Sequence, residues 1–206
     1  MARWVPIRSA ALGLALVTLA ASPEPYRDGL PIESYRLLGG MLAQLRNNGP
    51  LAGAGKSVDL VAPLTRALDE KHGTHVELLL RHAIDAGDRD GALVATTVLV
   101  LLDTEDLLEG VARDDYTGWT DARVRTRKAV LNYGLVADEL RRLQGERDRR
   151  VVAAFGRLMT ELRDSDLSTP PEAITSLSAA AVVELAAMRS AAVNARPRAS
   201  DGGGAR

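Results

Sequence analysis

The chain contains no cysteine. That excludes disulfides, thiolate metal ligands, a cysteine nucleophile and the lipid-bearing cysteine that anchors an exported lipoprotein. Aromatic residues are nearly as scarce, with one Phe, two Trp and four Tyr in 206 residues. A surface that stacks nucleic-acid bases needs more of them than this, so no nucleic-acid partner is expected. Charge of one sign is missing too. Basic and acidic residues number 26 and 27, and a net charge of -1 gives no field to steer the protein towards polyanions or membranes. What remains is a hydrophobic fraction of 46% drawn mainly from Ala, Leu and Val. Such residues suit close-packed helices better than strands, which favour aromatic and β-branched side chains.

The first residues have their own pattern. Arg3 and Arg8 give a basic start, and Ala10 to Ala21 supply an apolar run, followed by Ser22 and Pro23. This is the layout of a secretory signal peptide, and the run is shorter than the roughly 20 residues that span a membrane. Cleavage after Ala20 or Ala21 is expected. Residues 1–21 then form the signal, 22–30 a linker, 31–194 a helical bundle domain and 195–206 a glycine-rich disordered tail. The Arg- and Ala-rich composition points to a bacterium, hence to a periplasmic or extracellular location. No later segment reads as a membrane span, so the mature chain is not expected to cross one.

Period-two alternation is absent, and apolar residues recur every three to four positions. The expectation is an all-α bundle of five to seven helices. A first helix over residues 31–47 is weakened by Gly39-Gly40 and stopped by Asn47-Asn48-Gly49-Pro50. The stretch PLAGAGKS is close to a phosphate-binding loop, but Pro50 stands where the first glycine is required, and a helix precedes it. It reads as a flexible connection. Helices follow over about 61–72, with Pro63 in the first turn, over 74–86 and over 88–112. ALVATTVLVLL in the last of these is apolar on nearly every side, the mark of a central helix. Another starts at the N-cap Thr120, carries Val130, Tyr133, Val136, Leu140 and Leu143 on its buried face, and breaks at Gly145. Thr169-Pro-Pro-Glu172 opens the final helix with a capping box.

All three histidines fall in HGTHVELLLRH. Gly73 after Lys71-His72 is a helix end, and Thr74-His-Val-Glu77 is a capping box, so this stretch reads first as a junction between two helices. A metal site is the competing reading. His75 and His82 lie about 10 Å apart along a helix and cannot share one ion. His72 and His75 can meet, and an antiparallel hairpin brings them level with Leu101 to Thr104, near Asp103, Glu105, Asp106 and Glu109. His72, His75, Glu105 and Glu109 would make a nitrogen–oxygen site for zinc, iron or copper. Ion pairs compete for the same acids, Glu109 with Arg125 and Asp106 with Lys128. The basic runs VRTRK and RRLQGERDRR carry acids at helical spacing and read as self-paired surface.

No serine–histidine–acid order, HExxH or catalytic acid pair is present, so no enzyme is expected. The functional expectation is an exported, non-catalytic binding or accessory protein with an unidentified protein partner. The alternative is a periplasmic transition-metal-binding protein.

Overall fold

Small and aliphatic residues at helical spacing build helices throughout the computed structural model, which describes residues 31–47, 50–114, 119–164 and 171–194. The expected signal, linker and tail lie outside the described residues. Seven helices occur among those described, and no strand: α1 Pro31–Arg46, α2 Leu51–His72, α3 Val76–Asp85, α4 Arg89–Ala112, α5 Trp119–Gly134, α6 Ala137–Asp164 and α7 Pro171–Asn194. The all-α bundle is therefore the observed fold.

α4 is the centre of the molecule. It packs against α1, α2, α3, α5 and α7. Asp88 caps it by accepting the Gly91 N–H at 2.8 Å, and residues 95 to 105 are buried without a break. The helices α4, α5, α6 and α7 neighbour one another in cyclic order, with no close backbone approach between α4 and α6 or between α5 and α7. On the other side α1, α2 and α3 cover α4. Leu38, Met41, Leu42, Leu80, Leu99, Leu102, Leu140, Leu158 and Leu185 join one continuous core across both groups.

Several local expectations are corrected. PLAGAGKS is not a flexible connection: Leu51 to Ser57 form the first turns of α2. Ala54 and Val58 are buried there, and this burial outweighs the weak helix propensity of Gly53 and Gly55. Pro63 consequently sits inside α2, on its exposed side, where the Asp59 carbonyl it leaves without a helical donor can meet water.

The long helix expected from Thr120 is also two. Thr120 is already helical. The chain then turns at Leu135 and Val136, whose N–H groups donate to the carbonyls of Asn132 and Tyr133 at 3.0 Å. The break expected at Gly145 is a kink at Gln144, with φ -144° and ψ 48°. Gln144 also reaches α7, donating from Nε2 to the Met188 carbonyl at 3.1 Å. Tyr133, Val136 and Leu140 are buried as expected, but Leu143 is 67% exposed, because turn and kink rotate it off the common face. Lastly, α7 is long and apolar enough to span a membrane by length and composition, because Ala fills its non-core positions. The capping box proposed for its start lies partly outside the described residues.

Candidate functional site

The histidine stretch is a helix junction. α2 ends at Gly73, which adopts the left-handed conformation (φ 61°, ψ 37°) that a side chain would resist. The N–H groups of Gly73 and Thr74 both donate to the Asp69 carbonyl. The next helix is capped differently from the expected box. The Asp69 carboxylate accepts the Thr74 hydroxyl at 2.6 Å and the N–H groups of Val76 and Glu77 at 2.8 and 3.0 Å. His75 occupies the cap position, and its side chain makes no cap hydrogen bond. Glu77 instead bonds Arg66 at 2.8 Å and Arg81 at 2.9 Å. The Arg66 hydrogen bond, aided by Arg81 and opposed by some desolvation, holds the Glu77 carboxyl below its ordinary value. A carboxylate is the stronger acceptor for two N–H groups, so Asp69 displaces Thr74 from the role.

The four candidate ligands are not brought together. His75 and His82 are exposed. Glu105 is only 1% exposed, and its carboxylate faces α7, where Arg189 grips it through Nε at 2.8 Å and Nη2 at 3.1 Å. Burial raises the Glu105 carboxyl above its usual value and the Arg189 bond opposes that rise. Glu109 meets Arg113 at 2.9 Å. His72 alone points into the acidic end of α4. Its side chain is 9% exposed, with Nε2 3.7 Å from Asp106 Oδ1. That nitrogen is buried and has no hydrogen-bond partner. Among the described residues, no three histidines or carboxylates stand as they are in a metal-holding arrangement. The physical reason is that arginines claim Glu105 and Glu109 first.

The other acids of this end are also engaged. The Lys71 ammonium contacts Asp106 and lies 3.9 Å from Glu109 Oε2. Asp103 is 7% exposed and accepts Asn132 Nδ2 at 2.6 Å. Burial pushes its carboxyl up to about 6, with the Asn132 bond working against the rise. Arg125 bonds Asp121, four residues away, while its guanidinium packs on Gly110. The register expected for α4 against α5 is therefore close, but the local pair replaces the Glu109–Arg125 one.

A second polar centre lies at the α6 kink. Asp148, 2% exposed, accepts the Tyr133 hydroxyl at 2.8 Å and Arg141 Nε at 3.1 Å. Burial and the Asp148 carboxylate together push the Tyr133 phenol well above its ordinary value. An open cavity of about 390 Å³ is lined here by Arg141, Gly145, Glu146, Asp148 and Arg149. The run from Arg141 to Arg150 is partly neutralised: Arg141 pairs with Asp138, Arg150 with Glu146 and Glu184, and Arg147 with Glu184, while Arg46 of α1 pairs with Glu139.

The outer side of α7 has a different character. Ile174, Ser178, Ala181, Leu185, Met188 and Ala192 are buried. Ser176, Ala179, Ala180, Val183, Ser190 and Val193 face solvent, Val183 at 68% exposure. Both charged residues of the helix middle, Glu184 and Arg189, are held by α6 and α4 respectively. The solvent side thus forms an uncharged seam. Sequence reading missed Arg189 and Asp69. Arg189 had a signal, being a lone charge amid Ala, Met and Val; Asp69 had none, because its role depends on the α2–α3 turn closing. No family model, curated protein or solved structure matches the chain.

Proposed function

We propose that this chain is an exported, non-catalytic binding protein that docks a protein partner along the outer seam of α7. The observation that carries the reading is an apolar helix covered on one side only: about 28% of its most apolar window is buried. Its exposed positions are small or apolar and uncharged from Ser176 to Val183. Small side chains let a second helix approach closely, so the partner chemistry that fits is an uncharged helix face. The buried acids offer little to catalysis, because Asp103, Glu105 and Asp148 are committed to Asn132, Arg189 and the Tyr133–Arg141 pair. Export is supported by the Arg-flanked apolar run from Ala10 to Ala21.

A photo-crosslinking residue placed at Val183 of the full chain tests this in cells, with exposed Leu143 on α6 as the control position. The chain is recovered from the exported fraction, where its intact mass should start it at Ala21 or Ser22. Protein adducts should form from position 183, not from 143, and Ala180→Glu should abolish them. Equal adducts at both positions, none at either, or α7-dependent binding to lipid vesicles without protein adducts would refute the docking reading. Full-length chain confined to the cytoplasm would refute export.

A further inference from the structure

The last turn of α2 and the acidic end of α4 hold an arrangement that the docking seam does not use. Asp106 and Glu109 stand three residues apart, one turn of α4, so their carboxylates share a side of the helix. Between them sits a cation, the Lys71 ammonium, in contact with Asp106 and 3.9 Å from Glu109 Oε2. Beside them lies the buried, unpartnered Nε2 of His72, 3.7 Å from Asp106 Oδ1. A buried imidazole nitrogen without a partner is costly, and such groups in native proteins generally answer to a water, an ion or a role. The carboxylate 3.7 Å from it, that of Asp106, is already bound to a cation.

We propose that Lys71 is a place-holder, and that His72 Nε2, Asp106 and Glu109 bind a divalent transition-metal ion when its side chain swings away. One imidazole and two carboxylates form a nitrogen–oxygen donor set suited to zinc; calcium prefers six to eight oxygens. Donors 3.7 Å apart can each reach one ion at about 2 Å, the ordinary zinc bond length. The change requires two exposed movements. Lys71 is 42% exposed and can extend into water. Glu109 must release Arg113, whose side chain is 67% exposed, and such surface pairs hold weakly. Water completes the coordination. The donor set differs from the one expected in the sequence: Asp106 enters, while Glu105 stays with Arg189 and His75 stays in solvent.

Zinc chloride titrated into the chelator-treated full chain, followed by calorimetry and thermal melting, tests the site. Wild type should bind one zinc per chain. Its Tm should rise by roughly 5–10 °C at a hundredfold excess over Kd. His72→Gln and Asp106→Asn should abolish both signals, with unchanged helical circular dichroism checking their fold. His75→Gln and His82→Gln should keep them. Lys71→Met should bind zinc on the order of tenfold more tightly, because the competing cation is gone; a purely structural His72–Asp106 contact predicts no such gain. The proposal is overturned by no binding in wild type, even if Lys71→Met binds. It is equally overturned by binding that survives His72→Gln, or by binding lost in His75→Gln.

Discussion

Asp103 lies inside α4 with the neutral amide of Asn132 on its Oδ2, and burial lifts its carboxyl from 3.8 to about 6. An acid with a raised folded pKa binds its proton more tightly in the folded than in the unfolded chain. Its neutral form is therefore favoured on folding, and stability falls as pH rises from about 3.8 to about 6, then levels. Asp103→Asn removes that penalty while keeping the shape and an acceptor for Asn132. At pH 7 it should be more stable than wild type by up to about 3 kcal/mol, and the difference should shrink towards pH 4. Urea unfolding across pH 4–7 measures it; parallel curves for the two proteins would show that Asp103 is not buried as an acid. Some residue-scale features were legible in the sequence. Gly73 after Lys71-His72 announced the left-handed helix end that is observed. The fate of Glu105 was not, because its partner Arg189 lies 84 residues away and only packing of α7 on α4 brings them together.

At the scale of elements, local signals located boundaries better than they assigned the groups that make them. Thr74-His-Val-Glu77 marks the start of α3 within two residues, yet the acceptor for its free N–H groups is Asp69, in the preceding helix. Asp69→Ala removes the acceptor of three hydrogen bonds, including two from otherwise unpaired helix-end N–H groups. The expected loss is roughly 2 kcal/mol, at the upper end for a helix cap. Thr74→Ala removes one hydroxyl and leaves both N–H bonds to Asp69, so it should cost under about 1 kcal/mol. Chemical unfolding of both variants ranks them, and a larger loss for Thr74→Ala would restore the capping box. The merged α5–α6 expectation failed for a related reason. Gly134 and Gly145 are equally plausible break points in sequence; what decides is tertiary, since the turn at Leu135 puts Val136 and Leu140 in the core and the kink lets Gln144 bond α7.

At the scale of the whole molecule, one helix serves two packing groups. ALVATTVLVLL was legible as central because no polar face was available to lie against water, and α4 indeed meets α1, α2 and α3 on one side and α5 and α7 on the other. The same criterion misjudges α7, whose apolar character comes largely from Ala on positions that the bundle leaves uncovered. Composition records how apolar a helix is, while burial depends on how many neighbours it finds. Because α4 is common to both groups, neither should remain folded when it is disrupted. Val98 is 4% exposed in its middle, and Val98→Asp places a charge there without a partner. The loss should be roughly 3 kcal/mol or more. Hydrogen exchange on the variant should show protection falling together in α1–α3 and in α5–α7, as one cooperative unit. Protection lost from one group and retained by the other would mean that the two fold independently, with α4 belonging to only one of them.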